Sequence, residues 1–530
     1  MPPAAWSDCL NVRFIDGAAE RVKGYFEGYG SPHGFARQII QARKADGTYS
    51  WIYTHDAGVS MSVGEIHSDI GKLSTTYAVT GHEKPSLLRF NDRVIVNYPG
   101  LPPQYFWPID ELTKCVDLPF WPANIRTNRM VAYREFLFAL GVWNGTAWEH
   151  STVLWSHSAE PNQLPDSWNI TDPAKDAGAF QLGESADRLV DALPLGGTLF
   201  IYKENSVYAC NYSGYPQIFS FNRVFENRGC LSPDCVVSIG NRHLVVDRGD
   251  IYTHDGATEQ SILSNRARRW WRSAIDKTYG WRTFAKHYPY QKEVWVCFPS
   301  DGNSECNQAL IWNYETNKLT RRTFKRLTAI GLGFLDVTQN IAWDDFTGMW
   351  VTNSELWSAT VDNWNSEAAP EQWADINAAW DTIIGDANAD HFLLAVEAFA
   401  VDDDPRLAFC DSTGRFGELN FEAYVERTGI AFASIDSNKR PVANLHSMKL
   451  LREVWPRVET DGPVMVQVGS QVDLDSPVYW EPPVAFTPGV DKKVDCFISG
   501  KLLAVRFFSM EKGYWRLAGY ELTVEEMGTY

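Results

Sequence analysis

The feature that most limits what this chain can become is a recurring unit: two short apolar strands joined by a tight turn. Between Leu195 and Leu263 it occurs twice. Thr198–Lys203 and Ser206–Cys210 flank Glu204-Asn205, and His243–Asp247 and Asp250–Thr253 flank Arg248-Gly249, closed by Asp255-Gly256. β-Branched and aromatic residues packed between Gly, Asn and Asp turns are the mark of hairpins. The same unit pairs Trp51–Tyr53 with Glu65–His67, Arg93–Asn97 with Gln104–Trp107, and Glu135–Leu140 with Thr152–Trp155. It recurs as Glu293–Phe298 with Ala309–Tyr314, Gly348–Val351 with Glu355–Trp357, and Arg406–Cys410 with Gly417–Phe421. First strands begin near 93, 136, 199, 243, 294, 348 and 406, in steps of 43 to 63 residues.

About 40 to 50 residues per four-stranded unit is the period of a propeller blade, each pair forming a blade's middle. A closed propeller leaves only short, protected edges, which suits a chain this rich in strands. The predicted fold is therefore all-β: a β-propeller of six or seven blades over 31–435. A set of β-sandwiches is the competing arrangement. Tryptophans and acids in 358–385 fit a loop with one helical turn.

The two ends read differently. Asn11–Phe14 and Glu20–Val22 flank Asp16-Gly17, a strong hairpin signal. From about residue 440 the strands lengthen and alternate strictly, as in Val464, Val466 and Val468 against Met465 and Gln467. That is the pattern of a half-buried antiparallel sheet. The expected second domain is a small sandwich-like platform over 436–530, joined by the N-terminal hairpin of residues 1–30, since chain ends often lie close together.

Chemistry is sparse. Phosphate-binding glycine loops, H-E-x-x-H and G-x-S-x-G are absent from the sequence. The best zinc set, Cys230 and Cys235 with His243 and His254, has poor spacing and falls on separate strands. Glycosidases need two carboxylates across a cleft. Asp344, Asp345 and Asp402–Asp404 supply acids, but such clusters usually form turns or solvated loops, and the S-x-D-x-G-x-T-W sialidase repeat is missing. Neither catalysis nor a cofactor is expected. The nine cysteines lie at irregular spacing, mostly inside apolar runs, and read as buried thiols of a protein made in the cytoplasm. The N-terminus shows no signal peptide, and no apolar run reaches 18 residues, so no membrane span is expected.

The net charge of −18 argues against a phosphate-gripping domain. Two basic runs reverse it locally. Arg266, Arg268, Arg269 and Arg272 surround Trp270 and Trp271, and Arg321, Arg322, Lys325 and Arg326 fall in Lys318–Arg326. Such clusters can meet a partner's acids or nucleic-acid phosphates. The plainer reading of the first is a solvated loop packed on its tryptophans.

With these residues laid out, the chain resembles the tail nozzle proteins of short-tailed bacteriophages, also called tail tubular B or stabilisation proteins. The similar pieces run in order through nearly the whole chain. They are Asn11–Phe14 with Asp16-Gly17 and Gly24-Tyr25; Val153–Ser156 leading to Pro161 and Ser167-Trp168; and Leu199–Tyr208 followed by Gly229 and Ser232. Gly249–Gly256, Ser499–Lys501 through Arg506-Phe507, and Trp515–Glu521 complete the set; the family usually has Arg where Lys501 stands. The resemblance implies a structural virion protein without a cofactor: a homo-hexameric ring below the portal and its adaptor. It also implies fibres or spikes docked outside, a plug or needle below, and genomic DNA passing through without specific binding. The alternative from another class is a propeller that binds or cleaves surface glycans.

Overall fold

A computed structural model describes residues 6–44, 47–79, 81–108, 113–334, 390–398, 402–411, 421–435, 441–445, 447–510 and 513–529. The chain forms two compact units: Glu27–Ala309 with Phe324–Cys410, and Met1–Phe26 with Leu310–Thr323 and Asp411–Tyr530.

The larger unit is a β-propeller. Its first blade is the sheet Gln38–Arg43, Tyr49–His55, Gly58–Val63, Ile66–Asp69. The second is Ser86–Phe90, Arg93–Asn97, Gln104–Phe106, Val116–Asp117, and the third Arg126–Tyr133, Phe136–Trp143, Trp148–Trp155, Gly178–Gln181. The fourth is Leu189–Leu195, Thr198–Lys203, Ser206–Tyr212, Phe219–Glu226, and the fifth Val236–Ile239, Arg242–Val246, Ile251–His254, Glu259–Ser261. A seven-stranded sheet holds the last two blades, which share one strand. Phe284–Tyr288, Glu293–Phe298 and Cys306–Asn313 lead to Lys318–Gly333, which continues inward and pairs with His391–Glu397 from Leu327 onward. Pro405–Cys410 and then Tyr25–Glu27 complete the seventh blade, so a strand from before blade 1 is the outermost strand of the last. Among the described residues there are thus seven blades.

Successive blades pack through their first strands: Gln38–Arg43 on Ser86–Phe90, that strand on Arg126–Tyr133, and so on to Phe284–Tyr288. Each wedge between blades has its own apolar core. Phe138, Val153 and Trp155 of blade 3 meet Leu199, Ile201 and Tyr208 of blade 4. Each such aliphatic side chain, fully buried, contributes about 1.5–3 kcal/mol. The ring closes where Ile39, Trp51 and Tyr53 of blade 1 meet Ala329, Leu393 and Ala395 of blade 7. Gly331 allows the approach: a Cβ there would lie 2.8 Å from both Ile39 and Trp51.

The smaller unit holds two antiparallel sheets. One runs Asp8–Leu10, Ala423–Ile430, Leu502–Ser509, Val464–Gln471, with Tyr479–Trp480 and Val484–Phe486 both on the last strand. The other runs Val12–Ile15, Ala18–Arg21, Trp515–Thr529, Ser447–Thr460, Val494–Gly500. The alternation read from sequence is the burial pattern observed: Val464, Val466 and Val468 are buried, Met465 and Gln467 half-buried. The hairpin turn at Asp16-Gly17 has positive φ at both residues, 49° and 83°, as a type I′ turn requires. The hairpin joins the C-terminal strand with Ala19 opposite Leu517.

Several sequence expectations change. Residues 265–272 form no loop but the helix α1, Asn265–Ala274, capped by Ser264, whose hydroxyl accepts from the Ala267 N–H at 3.3 Å. Tyr49–His55 pairs with Gly58–Val63, not with 65–67. Arg406–Cys410 has His391–Glu397 and Tyr25–Glu27 as neighbours, and the partner expected at 417–421 lies, but for Phe421, outside the described residues. Ala423–Ile430, expected in the propeller, pairs in the smaller unit's first sheet. The expected pair at 348–357, the Trp-rich stretch 358–385, and Asp344 and Asp345 lie outside the described residues.

Candidate partner-contact surface and the propeller axis

The first basic cluster lies on α1. Trp271 is its buried anchor, packed edge-on against Phe298 with ring centroids 5.1 Å apart. Two arginines turn back onto the propeller. Arg268 Nε donates to the Leu263 carbonyl at 3.3 Å and lies 3.4 Å from Asp250, and Arg272 Nε donates to the Gly249 carbonyl at 3.2 Å. Arg266 and Arg269, three residues apart, are exposed, with no ion-pair partner among the described residues. They leave a free cationic edge on a strongly acidic chain.

The second run is paired within the chain. Arg322 is completely buried and pairs with Asp411 at 2.7 Å while donating to the Lys23 carbonyl at 2.6 Å. Burial pushes the Asp411 carboxyl up, but Arg322 and Arg13 outweigh it and hold the pKa down to about 2. Arg321 pairs with Asp8 at 2.7 Å. Lys325 reaches Glu397 and Asp402 at 3.0 and 2.8 Å. Arg326 reaches Glu305 and Asp403 at 3.2 and 3.0 Å and stacks over Phe35. The acids at 402–404 are spent the same way, Asp404 on Arg406.

The four residues weighed above as a zinc set are likewise engaged. Cys230 Sγ donates to the Ser232 carbonyl and Cys235 Sγ to the Thr283 carbonyl, each at 3.2 Å. His243 and His254 both bond Tyr202. Among the described residues no group of His, Cys, Asp and Glu is arranged to hold a metal. All nine cysteines are free thiols. Burial pushes the Cys235 thiol up to about 11 and Cys9 to about 12, far from thiolate chemistry at neutral pH.

Sequence reasoning missed a charged cluster across the propeller axis. Arg129 of blade 3 forks onto Asp191 of blade 4, at 3.1 and 3.3 Å, and onto Asp234, just before blade 5, at 2.6 Å. Asp191 also accepts from the backbone N–H groups of Ala192 and Asp234. Gln38 of blade 1 donates to Asp234 from the far side at 3.2 Å and accepts from the Leu87 N–H of blade 2. Burial pushes Asp234 up, but Arg129, with Lys286 and Lys84 behind it, holds it down to about 2. Side chains from four blades, joined by a backbone N–H of blade 2, thus bridge the bore. The available signal was a lone charge inside an otherwise apolar strand, Asp191 in Leu189–Leu195; such a charge is buried only when paired.

No protein-family model matches the chain, and no curated protein matches it with significance. Solved structures match at low similarity. The AfRom2 CNH domain is 9% identical, covering 73% of this chain and 97% of that one at a TM-score of 0.34. The Cps50 (Swd1) β-propeller domain of Myceliophteria thermophila is 12% identical, covering 58% and 97% at 0.34. BamB from Moraxella catarrhalis is 9% identical, covering 61% and 87% at 0.32. Scores this low carry no argument, and the propeller assignment rests on the sheet order and the closed circuit of inner strands.

Proposed function

We propose that this chain is a structural tail protein of a short-tailed bacteriophage. In this reading it is the nozzle: a six-copy ring that extends the portal and adaptor channel, conducts DNA during ejection and carries fibres or spikes. The observation that supports this most is the meeting of the chain ends. Val12–Ile15 and Ala18–Arg21, within the first piece of the resemblance, and Trp515–Glu521, its last, lie in one sheet, Ala19 against Leu517 and Glu20 against Arg516. The filled bore fits a conduit built from several copies. A duplex whose major groove alone is about 12 Å wide cannot thread a hole bridged by Arg129, Asp191, Asp234 and Gln38. A wall of chains each carrying −18 repels phosphates and keeps DNA sliding. The exposed arginine edge of α1, Arg266 and Arg269, is the proposed contact for an acidic partner.

Mass photometry and electron microscopy of the purified chain, alone and with its adaptor, test the reading. A six-fold ring supports it. A monomer that binds or cleaves polysaccharide overturns it in favour of the glycan-acting alternative, and so does tight, salt-sensitive retention of duplex DNA in a gel at low salt.

A further inference from the structure

A cavity of ≈ 290 Å³ opens at the axial cluster, lined within the larger unit by Arg37, Lys84, Arg282, Lys286, Asp234 and Glu305 among others. That volume lies at the lower end for small-molecule sites, about 300 Å³. Its carboxylates are already spoken for. Asp234 is held by Arg129, which Asp191 shares, and Glu305 is shared by Arg37, Arg282 and Arg326. Asp56 is forked by Arg37, and Glu83 is itself partnered.

Two amines of the lining have no carboxylate within ion-pair distance among the described residues. Lys84 donates to neutral oxygens only, of Ser232, Pro233 and Thr283. The Lys286 side-chain amine has neither a hydrogen bond nor an ion pair among the described residues. One further buried donor of the lining, Arg282 Nε, has no hydrogen-bond partner among the described residues. An uncompensated cation and an orphan donor on the wall of a cavity are costly unless something fills the deficit. The lining itself sets four cations, Arg37, Lys84, Arg282 and Lys286, against four carboxylates, Asp56, Glu83, Asp234 and Glu305, and of those cations only Lys286 has a side chain without a bonding partner among the described residues.

We propose that this cavity binds a small oxyanion, a carboxylate or phosphate group seated on Lys286, with Lys84 and Arg282 beside it. Ammonium and guanidinium groups in a partly dehydrated pocket form the stronger, charge-assisted bonds to such oxygens. Burial drives the Lys286 amine toward its neutral form, opposed by Asp234, and a bound anion restores its charge. This site is independent of the nozzle reading, so a six-fold ring without anion binding would sink this inference alone.

The test is isothermal titration of the full chain with inorganic phosphate, acetate and succinate, ionic strength held constant with chloride. At least one probe is expected to saturate one site per chain, and which one separates phosphate from carboxylate recognition. Lys286→Met should weaken that binding at least tenfold, and Lys286→Arg less. If Lys286→Met does not fold, the wild-type chain serves instead. Amine acylation of Lys286, read by peptide mapping, should slow at least threefold in the presence of the saturating anion. Lack of saturation by all three probes, unchanged affinity in a folded Lys286→Met, or acylation indifferent to the anion would overturn the proposal.

Discussion

The hydroxyl of Tyr202 donates to Nδ1 of His243 across 2.7 Å, and this one bond fixes the protonation of its surroundings. His243 Nε2 faces the Pro194 carbonyl at 3.1 Å, so it carries the hydrogen and leaves Nδ1 as acceptor. On the other side His254 Nδ1 accepts from the Gly256 N–H at 3.1 Å, so its Nε2 donates to the Tyr202 oxygen at 2.7 Å. Both imidazoles are buried and neutral, and burial pulls each down to about 4.

The first prediction concerns acid. Because folding depresses these two pKa values, the unfolded chain takes up protons first. Their contribution is fully present above about pH 6.5 and is lost as pH falls from there toward 4. We expect up to about 3 kcal/mol per histidine to disappear over that window. Urea midpoints from pH 7.5 to 4.5 measure it. In Tyr202→Phe, which orphans a donor and an acceptor, stability at pH 7.5 should drop by about 2–4 kcal/mol. A flat wild-type profile would contradict the neutral assignment.

Arg129→Met removes the one cation between two buried carboxylates. Breaking a buried ion network from one side costs about 3–5 kcal/mol, because the charges left behind remain dehydrated. Chemical denaturation of the variant should show a loss of that size, larger than that of an exposed arginine such as Arg266.

The two basic runs should separate cleanly. Arg322→Met leaves the buried Asp411 unpaired and should cost about 3–5 kcal/mol. The Arg322–Asp411 pair should also weaken as pH falls from about 3.8 toward 2, since the aspartate's pKa is held low in the fold. The double change Arg266→Ala with Arg269→Ala should shift stability by no more than about 0.5 kcal/mol. On the nozzle reading proposed above, it should still lower assembly with an adaptor ring, read by mass photometry. Equal losses of stability in both variants would refute the division.

Gly229 should tolerate no side chain. A Cβ there would lie 2.1 Å from the Glu204 carbonyl oxygen and 2.6 Å from the Asn205 nitrogen, both backbone atoms that cannot swing away. Gly229→Ala is expected to cost about 1–3 kcal/mol, as overpacking does. Gly240→Ala, with open space around it but positive φ, should cost about 1 kcal/mol from the backbone alone. Thermal midpoints of the two variants give the order.

What the sequence determined by itself was local and periodic. The Asp16-Gly17 turn, the alternation at Val464–Val468, and the middle hairpins such as Ile201 against Tyr208 were all legible. Neighbouring residues set strand, turn and face, and repetition at blade spacing points to a closed ring. Helix α1 was also within reach, through Ser264 before a run of arginines and an alanine. Tertiary structure alone decided which charges are free. Arg266 and Arg322 look alike in sequence, yet one is solvated and the other sealed against Asp411, 89 residues away. The same holds for the strand shared by blades 6 and 7, for Tyr25–Glu27 as an outermost strand, and for Arg129, Asp191 and Asp234 across the axis. These depend on pairings between distant segments, and no window of local sequence records which partner a strand edge or a buried charge will find.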